Sequence, residues 1–297
     1  MSGTWQDAVR AADLDPQQVE DVVRRALAED LRYGLDVTTA ATIDPQQTGT
    51  ADVVARAPGT LAGVPIAWAV LDLYARDAGA ALSVDVRIAD GQAVQRGSVI
   101  LSVSGPLPVI LTAERTTLNL LCQLSGVATL TATWQRTIGG SHARVRDTRK
   151  TVPGLRELQK YAVRCGGGVN HRMGLGDAAL IKDNHVAAAG SVTAAYRAVR
   201  ERFGTDLPVE VEVDTVEQAR EAIAAGAELI LLDNMSPEQL RECVALGRAA
   251  GSPVKFEASG GLTLDTAAEV AATGVDYLAV GALTHSAPVL DLGLDLR

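Results

Sequence analysis

Lysine is nearly absent from this 297-residue chain: Lys150, Lys160, Lys182 and Lys255 stand against 23 arginines, and none precedes position 150. In a sequence that writes arginine almost everywhere, lysine marks places where a compact, flexible ammonium is useful, although Lys160 and Lys255 are equally compatible with solvated faces. Cysteine is scarce as well. Cys122, Cys165 and Cys243 are odd in number and widely spaced, which argues against a disulfide framework or a zinc knuckle and leads us to expect a reduced, cytoplasmic protein. No apolar run reaches the roughly 18 residues of a membrane span, and residues 1–15 lack the basic and apolar regions of a secretory signal. Positive charge is short too. A formal net charge of -9 argues against nucleic acid or an anionic membrane as the main partner. An anionic ligand must therefore meet a local basic cluster.

What is present suffices for a large core, with 47% hydrophobic residues and a length that suggests two domains. Asp15-Pro16 has the form of an N-cap followed by N1, and apolar spacing from Val19 to Leu27 continues a helix that ends near Tyr33-Gly34. Short apolar runs at 51–56, 82–88 and 99–103, interrupted by a helical stretch at 67–75, read as an α+β segment. The turn from Asp90 to Gly97 resembles the hammerhead of biotinyl carriers, but a carrier needs a lysine there. Residues 108–137 read as one long helix, with Gly126 as a candidate bend.

Beyond that helix, strand-like runs at 144–147, 178–181, 209–213, 229–232, 254–257 and 277–280 alternate with helical stretches at 216–225, 237–250 and 264–272. The segment is far shorter than the roughly 250 residues of a complete eightfold barrel. The fold expected is therefore α/β: an N-terminal α+β, sandwich-like domain over 1–125 and an incomplete barrel of six or seven strands over 126–285.

Each expected barrel strand ends on a functional group or a glycine: Arg149-Lys150, Lys182, Glu212, Asp233, Ser259 and Gly281. The C-terminal strand ends of parallel barrels form their active-site face, so these residues are candidates for one site. In Val209-Glu210-Val211-Glu212-Val213, period-two geometry places both glutamates on one face. Glu212, nearer the mouth, is the better catalytic candidate, whereas Glu210 fits a buried partner for a basic group. Ser259-Gly260-Gly261 and Val280-Gly281-Ala282 lie where barrels commonly bind phosphate. Arg144, Arg146, Arg149, Lys150, His171, Arg172, Lys182 and His185 concentrate positive charge, which suits a ligand with several carboxylates and phosphates. His185 is as readily a holder of the Lys182 loop as a ligand contact.

The runs Asp147-Thr148-Arg149-Lys150-Thr151-Val152-Pro153-Gly154, Gly166-Gly167-Gly168-Val169-Asn170-His171-Arg172, Leu180-Ile181-Lys182-Asp183-Asn184-His185, Leu231-Leu232-Asp233-Asn234 and Glu257-Ala258-Ser259-Gly260-Gly261, in this order, resemble the quinolinate phosphoribosyltransferases. The resemblance implies transfer of phosphoribose from phosphoribosyl pyrophosphate to quinolinate with decarboxylation, and a C-terminal tail, 286–297, that rejoins the N-terminal domain. It implies that Arg149, His171, Arg172 and Lys182, with Thr148 in the same motif, bind the acceptor, and that Arg115 reaches in from the partner subunit of a homodimer. It further implies that Lys150, Glu212 and Asp233 act catalytically on phosphoribosyl pyrophosphate. Mg2+ would be held mainly through that substrate, with Glu212 and Asp233 as candidate protein ligands, while the Ser259–Gly261 and Val280–Ala282 loops take the 5′-phosphate. Leu35, standing between Gly34 and Asp36, departs from the family's Gly-Asp-Val-Thr run and is expected to change only a loop. Other readings of the residues are a phosphoribosyltransferase acting on nicotinate, a barrel lyase with Lys182 as Schiff-base amine, and a phosphate-ligand binding protein.

Overall fold

In the computed structural model, which describes residues 3–251 and 253–297, the chain begins with α1 (Trp5–Ala11), α2 (Pro16–Asp30) and α3 (Val37–Thr42). Then follow β1 (Thr48–Ala55), β2 (Gly59–Thr60), α4 (Val64–Asp77), β3 (Ser83–Val86), β4 (Ala93–Val94), β5 (Val99–Pro106) and α5 (Leu107–Thr137). Beyond α5 come β6 (Arg144–Arg146), α6 (Arg156–Cys165), β7 (Ala179–Ile181), α7 (Asp183–Ala189), α8 (Val192–Phe203), β8 (Val209–Val213), α9 (Val216–Ala225) and β9 (Leu229–Asp233). The chain closes with α10 (Pro237–Ala249), β10 (Lys255–Ser259), α11 (Leu264–Ala271), β11 (Tyr277–Ala279), α12 (Ala282–His285) and β12 (Leu292–Leu296). Among the described residues no helix is long and apolar enough to cross a membrane.

Packing groups the chain into two compact units. Residues up to Ala132, with Thr151–Gly167 and Leu283–Arg297, form the first; Thr133–Lys150 and Gly168–Ala282 form the second. The first unit is built on an antiparallel sheet of order β12-β1-β5-β3. Asp15 starts α2 as the sequence suggests, its carboxylate accepting the Gln17 amide at 2.9 Å, and the helix buries Val19, Val23 and Leu27. Each such apolar side chain contributes about 1.5–3 kcal/mol when withdrawn from water. Asp36 caps α3 by accepting the Thr38 and Thr39 amides, so Leu35 leaves that cap intact.

Two features of the first unit were not legible beforehand. The Asp90 turn is a remote helix cap: its buried carboxylate accepts the amides of Gly63 (2.8 Å) and Val64 (3.0 Å) at the start of α4, and the Tyr161 hydroxyl donates to it at 2.6 Å. Gly126 does not interrupt α5; it admits the returning tail, since a Cβ there would stand 2.1 Å from the Pro288 carbonyl oxygen. On α6, Lys160 is fully buried rather than solvated.

The second unit is a parallel sheet of order β6-β11-β10-β9-β8-β7, six strands, as an incomplete barrel requires. Hydroxyl N-caps start its outer helices: Thr215 with Gln218 on α9, Ser236 with Gln239 on α10 and Thr263 with Thr266 on α11, each worth about 1 kcal/mol. Strands β6 and β7 are the two ends of the sheet. Val169 adds one parallel bridge to the free side of β6, its amide donating to the Val145 carbonyl at 2.9 Å. That bridge delivers Asn170, His171 and Arg172 to the mouth of the barrel.

Candidate active site

The interior of the second unit is layered, as tilted barrel strands demand, with alternate strands contributing to each layer. Of the three layers nearest the mouth, the innermost is ionic: Arg146 from β6, Glu257 from β10 and Glu210 from β8. Above it, Ala279, Leu231 and Leu180 from the intervening strands form an apolar ring. Two residues beyond the ionic layer, Thr148, Ser259 and Glu212 form a polar layer. The upper two layers, joined by Arg149, Lys150, His171, Arg172 and Lys182, line a cavity of about 280 Å³.

The period-two argument for β8 holds. Val209, Val211 and Val213 are buried on one face, and both glutamates lie on the other. Glu212 faces the cavity, where the Lys182 ammonium donates to its Oε2 at 2.8 Å. Glu210, only 4% exposed, is the buried partner foreseen for a basic group: the His171 ring stands 2.7 Å from its Oε2 and Arg146 lies 3.9 Å from its Oε1. Arg146 was grouped with the ligand-binding cations in the sequence, but its guanidinium is committed to Glu257 and stacked 5.0 Å from the Tyr277 ring centroid.

His171 is held at both ring nitrogens. Nδ1 accepts the Arg172 amide at 2.7 Å, so the proton resides on Nε2, which donates to Glu210. Burial raises the Glu210 carboxyl above its ordinary value against the pull of Arg146. Burial, with Glu210 adding to it, pushes Glu257 up to about 8. Glu210 Oε1 and Glu257 Oε1 each lack a hydrogen-bond donor among the described residues.

Four cationic side chains face the cavity against the single carboxylate of Glu212. Two of them are incompletely satisfied: the buried Nε atoms of Arg149 and Arg172 have no hydrogen-bond partner. Burial, followed by the neighbouring Arg149 charge, lowers the Arg172 pKa. Arg172 is nonetheless fixed in place, donating to the Ala178 carbonyl at 2.9 Å. Two neighbouring guanidinium groups, one of them anchored, can receive a planar anion. His185 holds the neighbouring turn, its Nδ1 accepting the Lys182 amide at 2.9 Å.

Eight of the candidate residues thus line one cavity: Thr148, Arg149, Lys150, His171, Arg172, Lys182, Glu212 and Ser259. Asp233, at the end of β9 in register with Ser259, carries a carboxylate that accepts from Asn234 at 2.7 Å. Gly260 and Gly261 follow β10 with φ of 87° and 60°, and Val280, Gly281 and Ala282 follow β11. Arg115 lies in the other unit, on α5, 64% exposed with Glu114 3.9 Å away. The sequence reading did not single out Glu257. Its signal was the alternation Lys255-Phe256-Glu257, with Phe256 buried on the outer face, the same pattern as in β8.

Two acidic groupings bear on metal binding. His171, Glu210 and Glu257 offer ligand atoms within 4.8 Å of one another, a spacing that can hold a divalent cation. Glu212 and Asp233 end adjacent parallel strands at the barrel mouth, and such a pair suits Mg2+, which takes one or two carboxylates and completes its shell with water and phosphate oxygens.

Residues 127–295 match the C-terminal domain, and residues 36–125 the N-terminal domain, of quinolinate phosphoribosyl transferase. The chain belongs to the quinolinate phosphoribosyltransferase family. Among members of the family, it is 53% identical over 286 residues to the nicotinate-nucleotide pyrophosphorylase [carboxylating] of Mycobacterium leprae, covering 96% of this chain and 99% of that protein. A probable nicotinate-nucleotide pyrophosphorylase of Bacillus subtilis is 41% identical, covering 94% and 93%. The solved nicotinate-nucleotide pyrophosphorylase of Francisella tularensis superposes with a TM-score of 0.89 at 37% identity, covering 95% of this chain and 96% of that one.

Proposed function

We propose that this phosphoribosyltransferase joins the phosphoribosyl group of phosphoribosyl pyrophosphate to the ring nitrogen of quinolinate, releasing pyrophosphate and CO2 and yielding nicotinate mononucleotide for NAD biosynthesis. The observation that carries the reading is the pair of unpartnered guanidinium donors, Arg149 and Arg172, beside Lys182 in a cavity with one carboxylate. A dianionic planar acid relieves their mutual repulsion and satisfies both donors; a monocarboxylate leaves part of the cluster idle.

Displacement at ribose C1 passes through an oxocarbenium-like state as pyrophosphate departs. Glu212 supplies negative charge near the ribose, and Lys150 supplies positive charge to the leaving group. Bound Mg2+, held by Glu212 and Asp233 and by substrate phosphates, would supply further positive charge toward the pyrophosphate. The glycine-bearing turns after β10 and β11 offer backbone amides to the 5′-phosphate. Once the nitrogen is glycosylated, the bond to the adjacent carboxylate breaks. CO2 leaves, the electron pair stays on the ring carbon beside the positive nitrogen, and that carbon then takes one proton from solvent. The basic cluster contributes by holding the dicarboxylate in register.

The pairing of Lys182 with Glu212 at 2.8 Å supports acceptor binding and disfavours a Schiff-base role. We also place Arg115 in a homodimer, where it reaches the partner subunit's site; its exposure on α5 supports that role. Mixing Arg115→Ala with Lys182→Ala subunits should restore activity in the hybrid. The main test is turnover with quinolinate, phosphoribosyl pyrophosphate and Mg2+, followed as nicotinate mononucleotide and CO2, with nicotinate as the parallel acceptor. Product from nicotinate alone would overturn the assignment.

A further inference from the structure

The ionic layer beneath the cavity touches no part of the space open to substrate, yet a barrel interior at this depth is ordinarily filled by branched aliphatic residues. Burying Arg146, Glu257 and Glu210 there is no route to stability, because desolvating such groups commonly offsets their attraction. What the layer does contact is the irregular segment Asn170–Arg172, which no sheet or helix ladder holds beyond the single bridge at Val169. Arg146 Nε donates to the Asn170 carbonyl at 3.4 Å, and Glu210 accepts from the His171 ring at 2.7 Å. The far side of that ring accepts the Arg172 amide, while Asp147, the residue after Arg146, accepts from the Asn170 side chain at 2.5 Å and the His171 amide at 2.8 Å. Glu257, 0% exposed, in turn fixes the Arg146 guanidinium.

We propose that Arg146, Glu257 and Glu210 are positioning residues for the acceptor subsite: acting through His171, they set the backbone of Arg172 and with it the guanidinium that lines the cavity. This rests on the acceptor assignment above and extends it to a layer that never meets the substrate. The consequence is a selective defect. Disturbing the layer displaces Arg172 and weakens the dicarboxylate site, while the strand ends that carry Glu212, Asp233 and Ser259 keep their own ladder bonds to one another.

The test compares wild type with Glu257→Gln and with the paired replacement Arg146→Met/Glu257→Leu, which removes that ion pair together and leaves Glu210 in contact with His171. Glu257→Gln should raise the quinolinate KM, and the quinolinate Kd by calorimetry, about tenfold or more, the scale of one charge-assisted hydrogen bond. The phosphoribosyl pyrophosphate KM and kcat should change by less than about threefold, because little transition-state stabilisation is removed. The paired variant should melt at or above the wild-type temperature and still bind quinolinate weakly, which a merely structural role does not predict. If either folded variant binds quinolinate with wild-type affinity while wild type turns it over, this inference fails and the reaction assignment stands. A wild type that neither binds nor turns over quinolinate removes the assignment and this inference with it.

Discussion

The Lys182 ammonium lies 2.8 Å from the Glu212 carboxylate, joining the residue that follows β7 to the penultimate residue of β8 across the cavity wall. Lys182 is 47% exposed and Glu212 largely buried, so the pair straddles the entrance. In the function proposed above, an entering carboxylate takes over the ammonium and leaves Glu212 free to face developing positive charge on the ribose.

From this pairing we expect Lys182→Ala to raise the quinolinate KM by about tenfold or more, or to abolish turnover, through loss of a charge-assisted contact. Steady-state kinetics of the purified variant provide the check. Near-normal constants would remove Lys182 from the acceptor site. Borohydride treatment of wild type with a carbonyl compound should leave no adduct on Lys182.

Arg172→Lys should behave as a loss. The lysine keeps the charge but lacks the Nε donor and the planar fork through which Arg172 is anchored to the Ala178 carbonyl. The quinolinate KM should rise about tenfold, with the phosphoribosyl pyrophosphate KM little changed. Equal defects toward both substrates would place Arg172 outside the acceptor subsite.

These predictions fall on residues that the sequence made visible, for a physical reason. In short parallel strands a charged residue can only point toward the barrel mouth or interior once its neighbours pack outward, so Val-Glu alternation in β8 and the lysine after β7 announced a site. The chemistry of the ionic layer was less legible. Nothing local distinguishes Arg146, committed to Glu257, from Arg149, whose buried Nε has no partner among the described residues; the difference is made by β10, more than a hundred residues later. The Asp90 cap was hidden for the same reason, since the amides it serves lie 26 and 27 residues earlier. The packing of α6 with the first unit follows from tertiary contacts such as Tyr161 to Asp90 rather than from chain order.

In the first unit, Arg297 ties β12 to β1 by donating to both oxygens of Asp52 at 2.8 Å, and Ser102 adds a bond at 2.7 Å. Arg297, followed by Ser102, holds the Asp52 carboxyl below its ordinary value of 3.8, against the effect of burial. A carboxylate with a depressed folded-state pKa stabilises the fold fully above its unfolded pKa and loses that contribution as pH falls through the folded one. Arg297→Ala should therefore be less stable than wild type near neutrality, and the difference should shrink below about pH 4. Because Arg297 is half exposed, the effect should be small. Urea unfolding of both proteins across pH measures it; a difference independent of pH would assign the effect to packing.

The turn after β10 offers a sharper separation of strain from contact. Gly260 has φ of 87°, and a Cβ there would stand 2.2 Å from Asn234 Oδ1 and 2.8 Å from the Asn234 amide nitrogen; Gly261 has φ of 60° with nothing within 4 Å. Asn234 is itself left-handed at φ 53°, donates its amide to the Ser259 carbonyl and its side chain to Asp233. Alanine at either glycine incurs about 1–2 kcal/mol of backbone strain. Only at position 260 must Asn234 also move, carrying the carboxylate of Asp233 with it. Gly260→Ala should thus raise the phosphoribosyl pyrophosphate KM well beyond Gly261→Ala, while both lower the melting temperature, Gly260→Ala the more, and leave the quinolinate KM near wild type. Equal kinetic defects in the two variants would mean that backbone conformation alone, and not the Asn234 contact, shapes the phosphoribosyl site.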